Sequence, residues 1–363
     1  MKNSTAVHAS SPPSVLKKLP GQDLDHILAK GIYIWEELRG KRLFFTGATG
    51  FFGGWMLEGL ASANRCLGLR ASVVLLTRDS DGFRRALPHL ANDPAISLHA
   101  GDIRNFDFPE GPFDLLIHGA TTTARETFEG ESPLDKFETL ALGTRRVMEF
   151  ASQCGVERML FTSSGVIYGS QPSGLDHIPE GYIGGPIPGY PQRALAEGKR
   201  AGEFLVSSLA ESSGIAATIA RCFSFVGPRL PLNLHYALGN FIRDALNGGP
   251  ILVRGDGTAQ RAYLYASDLV IWLWTILIKG DPGSIYNVGS ENALTIADLA
   301  HLVASCMPHP PEVRVLGTPT PGAPSDHYVP STQLAQKELG LREWIDLETA
   351  IRRTLDFHSL TPS

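Results

Sequence analysis

Cysteine is scarce. The 363 residues include four, Cys66, Cys154, Cys222 and Cys306, far apart and with no C-x-x-C pair. That spacing excludes a disulfide framework and a cysteine-based metal site, and it suits a reducing, cytoplasmic compartment. Long apolar runs are missing too. The longest, Leu269–Ile278, is half what a bilayer requires, so it reads as a buried helix and no membrane partner is expected. Positive charge is not in excess either: 32 Lys and Arg against 37 Asp and Glu leave a net charge of −5, which excludes a nucleic-acid footprint. Residues 1–22, with Ser-Ser-Pro-Pro and no apolar stretch, are not a signal peptide and read as a flexible tail.

What is present is a chain able to bury a large core, with 43% apolar and 19% charged residues. Its length suits one large domain or two lobes. Residues 23–39 have apolar positions at helical spacing and form an N-terminal helix. Short apolar runs then alternate with longer helical patterns. Arg42–Thr46, Ser72–Thr77, Ile96–His99, Leu115–His118, Met159–Thr162 and Ala217–Ala220 read as strands; Gly54–Ala63, Gly82–Leu90, Leu134–Cys154 and Arg193–Glu211 read as helices. This is the pattern of an α/β fold with a doubly wound parallel sheet covered on both faces. Residues 40–223 make a Rossmann domain around that sheet. Residues 224–363, richer in Pro and Gly, make a smaller C-terminal lobe interleaved with the sheet.

The first strand runs into Thr46-Gly47-Ala48-Thr49-Gly50-Phe51-Phe52-Gly53, a G-x-x-G-x-x-G turn that opens a helix. Gly47 permits a tight turn, Gly50 allows a pyrophosphate to approach backbone, and Gly53 allows helix and strand to pack closely. The helix N-terminus adds N–H donors and a positive dipole end. Thr49, Phe51 and Phe52 share that turn. After the second strand come Arg78 and Asp79. An arginine there accommodates the 2′-phosphate of NADP, whereas an acid would bind the 2′-hydroxyl of NAD, so Arg78 leans the reading of NAD(P) toward NADP and Asp79 opposes it. Asp102 and Ile103, after the third strand, are placed to meet the adenine, and Ala120, after the fourth, completes the cofactor candidates.

The segments GATGFFG, GDI, SSGVIYG, EGKRAGE, RCFSFVGPR and RGDGTAQRAYLYASDL follow one another over residues 40–350. In order and spacing they resemble the extended short-chain dehydrogenase/reductases, the NAD-dependent epimerase/dehydratase enzymes of nucleotide sugars. The nearest likeness is to UDP-xylose synthases and UDP-glucose 4-epimerases. The resemblance implies that Ser164 polarises a sugar oxygen and that Lys199 is the lysine of a Tyr-x-x-x-Lys pair holding cofactor ribose. It also implies that Asn240 and Arg261 receive a nucleotide-diphosphate sugar, with His235 and Tyr236 further candidates to line the pocket. A homodimer through the helices 134–154 and 193–211 follows from the same likeness. The sequence departs from the pattern at four places. Leu195 stands where the tyrosine belongs, with Tyr190 the nearest phenol in sequence; Leu140 replaces an asparagine; Gly165-Val166 replaces the acids of dehydratases and decarboxylases; and Ser325-Asp326-His327-Tyr328 lacks a second phosphate-binding arginine. What remains favours epimerisation, by transient oxidation of a sugar carbon, or ketone reduction. The loss of tyrosine leaves a binding protein with weakened catalysis as the rival.

Overall fold

A computed structural model of the chain describes residues 15–121, 130–234, 236–320, 322 and 325–359. Arg42–Thr46 (β1), Ser72–Thr77 (β2), Ile96–Ala100 (β3), Leu115–His118 (β4), Arg158–Ser164 (β5) and Ala216–Cys222 (β6) are the longer strands. Shorter ones follow: Phe225–Val226 (β7), Ile251–Val253 (β8), Gln260–Arg261 (β9), Leu264–Tyr265 (β10), Ile285–Val288 (β11), Leu294–Thr295 (β12), Val313–Val315 (β13) and His327–Tyr328 (β14). Seven strands form one parallel sheet in the order β11-β6-β5-β4-β1-β2-β3. Strand order reverses between β1 and β4, which creates a crevice at their C-terminal ends where ligands of such sheets bind.

The strands are nearly all apolar because both faces of the sheet are covered. Leu43 and Phe45 of β1 point into one core, under Gly21–Lys30 (α1), Phe51–Leu67 (α2) and Ala266–Lys279 (α7). Phe44 points into the other, where its ring meets Phe150 at 4.4 Å and Phe106 at 5.6 Å. Pro133–Gln153 (α4) and Ala194–Ser213 (α5) cover that face. Ser80–Ala86 (α3) follows β2, and Ala237–Leu246 (α6) belongs to the C-terminal lobe. The apolar run at 269–278 is the centre of α7, whose residues Ala266 to Ile278 are all buried. Each large side chain buried there contributes about 1.5–3 kcal/mol.

Three expectations change. Only part of the tail lies within the described residues, and that part is docked: Leu19 is buried, its N–H donates to Glu58 at 2.9 Å, and Arg229 donates to the Lys17 carbonyl. The N-terminal helix starts at Gly21 and breaks at Gly31 into a one-turn helix, Ile32–Trp35, and a 3-10 turn. The helical stretch 82–90 is interrupted at Leu87-Pro88. The interleaving of the C-terminal lobe with the sheet takes a definite form: β11 supplies the seventh strand and α7 covers it.

Candidate active site

Three glycines of the first turn have three different surroundings. Gly47 adopts φ +78°, and a β-carbon there would lie 2.4 Å from the Gly119 backbone at the end of β4. A β-carbon on Gly53 would lie 2.3 Å from Ala48. Both are fixed by the protein's own packing. Gly50 differs: its nearest neighbour would be 3.5 Å away, and both it and Thr49 are exposed. No side chain caps α2, so its first turn, with Phe51 and Phe52, presents N–H groups outward. A surface without a β-carbon, at an uncapped helix N-terminus beside the sheet's switch point, fits a dinucleotide pyrophosphate.

The rest of the crevice rim is ordered. Asp79 turns away to cap α3, accepting from the Gly82 N–H at 2.7 Å. Arg78 is exposed beside it and lies within electrostatic reach of Asp102. Arg104 grips Asp102 at 2.8 and 3.0 Å and holds its carboxyl below the usual range. Ile103 packs under Gly143, and the Ala120 N–H donates to Thr46 Oγ1 at 3.3 Å. Beneath them His118 sits buried between Thr46 Oγ1 at 2.8 Å and Thr144 Oγ1 at 3.0 Å. Burial pushes its imidazole down to about 3, so it stays neutral.

Ser164 ends β5, partly buried, with its Oγ accepting from the Val166 N–H at 3.4 Å. Lys199, one turn inside α5, donates from Nζ to the Thr162 carbonyl at 2.6 Å and lies 4.8 Å from the Phe161 ring. The β5 strand thereby carries Ser164 and anchors Lys199 two residues apart. Burial lowers the Lys199 ammonium to about 8. A second layer locks this frame. Glu203 accepts from Ser163 Oγ at 2.5 Å and from Arg221 at 2.7 and 3.0 Å; Arg221 in turn reaches the Tyr168 hydroxyl at 2.8 Å, which donates to Asn287.

Leu195 stands one turn before Lys199 on the same helix and is partly buried. Leu140 is buried, its side chain against Gly198, where a β-carbon would lie 2.6 Å from it. Both polar positions of the expected relay are thus apolar. Tyr190, the nearest phenol in sequence, is 58% exposed, in the turn ahead of α5.

On the substrate side, Asn240 accepts from Arg243 at 2.9 Å and lines a cavity of about 350 Å³ between α6 and β8, together with Phe241, Asp244, Leu252 and Arg254. Arg261 lies just beyond it on β9 and is held by Asp326, through the carboxylate at 2.5 Å and the carbonyl at 3.1 Å. Tyr236 is 44% exposed at the start of α6, and His235 lies outside the described residues. One residue has no motif in the sequence to signal it, being marked there only by the arginine it is not. The Tyr328 hydroxyl lies beside Gly165, the residue after Ser164, where a β-carbon would fall 2.7 Å from it.

Residues 43–289 match the NAD dependent epimerase/dehydratase family. The chain belongs to that family of enzymes. It is 27% identical over 320 residues to UDP-glucuronic acid decarboxylase 1 of Arabidopsis thaliana, covering 88% of this chain and 70% of that one. Solved structures share the fold. A UDP-glucose 4-epimerase from Thermotoga maritima, solved with UDP-glucose, superposes with a TM-score of 0.69 at 20% identity, over 87% of this chain and 98% of the other. The dTDP-glucose 4,6-dehydratase DesIV of Streptomyces venezuelae, solved with NAD bound, gives 0.72 at 24% identity, over 87% and 96%.

Proposed function

We propose that the protein is an NAD(P)-dependent oxidoreductase acting on a nucleotide-diphosphate sugar, epimerase-like in oxidising a sugar carbon transiently and returning the hydride. The observation that carries this reading is Gly50, open where Gly47 and Gly53 are packed, on the same sheet edge as Ser164 and Lys199. Gly47, Thr49, Gly50, Phe51, Phe52 and Gly53 would hold the pyrophosphate, Asp102, Ile103 and Ala120 the adenosine side, and Lys199 the ribose. The nicotinamide dinucleotide supplies a reversible hydride acceptor. Ser164 orients the reacting oxygen. Asn240 and Arg261 face the nucleotide diphosphate, where a guanidinium fork suits two oxygens.

NADP is the favoured form, because Asp79 is committed to capping α3 while Arg78 stands at the end of β2. Gly165-Val166 offers no carboxylate, which disfavours the decarboxylation named for the Arabidopsis relative. Homodimerisation is supported by Leu134, Phe137 and Leu142 on α4 and Phe204 on α5, all exposed although large and apolar. No described helix is long and apolar enough to cross a membrane, and four free cysteines suit a reducing cytoplasm.

Leu195 favours a second reading, a sugar-nucleotide-binding protein with weakened catalysis. Calorimetry with uridine, cytidine, thymidine and guanosine diphosphate sugars tests the shared part. Binding of at least one is expected, weakened in Arg261→Ala by about tenfold or more, as for loss of a charge-assisted hydrogen bond. Binding of none would overturn the reading.

A further inference from the structure

The helix that carries Lys199 brings Leu195 to this site, yet a phenol arrives by another route. Tyr328 lies on β14, which pairs with β9 of the C-terminal lobe. Its ring lies on Phe223, centroids 4.7 Å apart and tilted by 34°. The Arg261 guanidinium lies 5.9 Å from the ring centre. This stacking fixes the ring and sets its hydroxyl at the Ser164–Gly165 step. Gly165 is what admits it: a β-carbon there would fall 2.7 Å from the Tyr328 hydroxyl and 2.7 Å from Phe223. The hydroxyl therefore stands where a side chain at 165 would stand, beside the oxygen that orients the substrate.

We propose that Tyr328 is the acid–base residue of this site, exchanging a proton with the substrate oxygen that Ser164 holds. The inference rests on the nucleotide-sugar oxidoreductase reading above. In the reducing direction the dinucleotide, once bound, would supply the hydride for the carbonyl carbon, and the C=O π pair would move onto oxygen. The phenol proton goes to that oxygen, directly or through the Ser164 hydroxyl, leaving an alcohol and an oxidised dinucleotide. The phenolate regains its proton from water, and the oxidising direction is the reverse.

The groups facing the phenol are Ser164 of β5, Tyr168 in the turn after it, Cys222 of β6 and Arg261 of β9. Burial holds the Cys222 thiol up at about 12, so Arg261, paired with Asp326, carries the charge there. Burial also pushes the Tyr328 phenol up, so it is protonated at neutral pH and acts first as an acid. Leu195 leaves Lys199 to hold ribose alone.

Tyr328→Phe keeps the ring on Phe223 and removes only the hydroxyl. A general acid–base group contributes about 10²–10⁴-fold, so kcat should fall at least about a hundredfold while KM and dinucleotide affinity hold. A readout independent of turnover is the tyrosine ring-carbon NMR signal missing from Tyr328→Phe; it should shift when wild type binds the nucleotide sugar identified by calorimetry. Wild-type kcat in Tyr328→Phe, or a Tyr328 signal indifferent to that sugar, overturns the proposal and leaves the nucleotide-sugar reading intact. Sugar binding without any turnover in wild type overturns the proposal and the oxidoreductase reading together, leaving the binding-protein reading. If wild type binds no nucleotide sugar, the underlying reading fails and the proposal with it.

Discussion

The glycine turn and the Lys199 cleft lie on the same edge of one sheet, yet their residues are constrained in different ways. At the turn, Gly47 and Gly53 are dictated by backbone only 2.4 and 2.3 Å from where a β-carbon would be, so the fold itself requires them. In the cleft the frame is equally rigid, through Glu203, Arg221 and Ser163, but the side chains that would do chemistry are free to change. Leu140 and Leu195 fill polar positions with apolar groups, and nothing in the packing suffers. A fold can keep its cofactor architecture while its proton relay is rebuilt around it, because backbone geometry and acid–base chemistry are held by separate residues.

That division can be broken from the frame inward. Glu203→Ala should have the largest effect, since Arg221 would be left as a mostly buried, unpaired cation. Removing one partner of such a pair costs about 3–5 kcal/mol, read as a fall in Tm. Gly47→Ala should cost about 2–3 kcal/mol by the same measurement, from a left-handed φ and a backbone clash. Gly50→Val should leave Tm nearly unchanged and abolish dinucleotide binding. Comparable loss of stability in Gly50→Val would erase the distinction between the glycines. Arg78→Ala should lower NADP affinity by about tenfold, the loss of one charge-assisted hydrogen bond, with NAD affinity unchanged. Equal loss for both would remove Arg78 from the 2′-phosphate.

The smallest effect concerns pH. Lys199 titrates at about 8 in the folded protein against 10.5 ordinarily. Between those values the unfolded chain holds more protons, so this group's contribution to stability improves as pH rises from about 8 to 10.5. Dinucleotide affinity should move the opposite way over the lower part of that window, as the ammonium is lost. Lys199→Arg should flatten the affinity profile.

Much of the frame is legible in sequence because it depends on periodicity and on glycine. β1, β2 and β4 read directly from short apolar runs, and α4 and α5 from helical spacing with only small changes at their ends. β11 does not, since Ile285–Val288 is four residues long and its place beside β6 is decided by tertiary packing. The break at Gly31 is a local matter, set by the Trp35 indole four residues on, which packs back where a β-carbon would stand. In the site, Gly47, Gly50, Gly53, Ser164 and Lys199 lie in local motifs. Tyr328 does not: it is 129 residues beyond Lys199 and comes to the Ser164–Gly165 step through the pairing of β14 with β9 and of Val329 and Pro330 with Ile178. Asp326 on Arg261 is hidden for the same reason.

Hydride chemistry on a nucleotide sugar would show directly in the cofactor's absorbance. The most direct measurement is the absorbance of reduced nicotinamide when purified protein with NADP or NAD is offered the nucleotide sugars that it binds, with sugar products identified by mass and NMR. A transient or steady reduced-cofactor signal with at least one of them and a stereochemically altered or reduced sugar are expected, both lost in Gly50→Val. Tight binding of dinucleotide and sugar, with neither a reduced-cofactor signal nor an altered sugar, would contradict that chemistry.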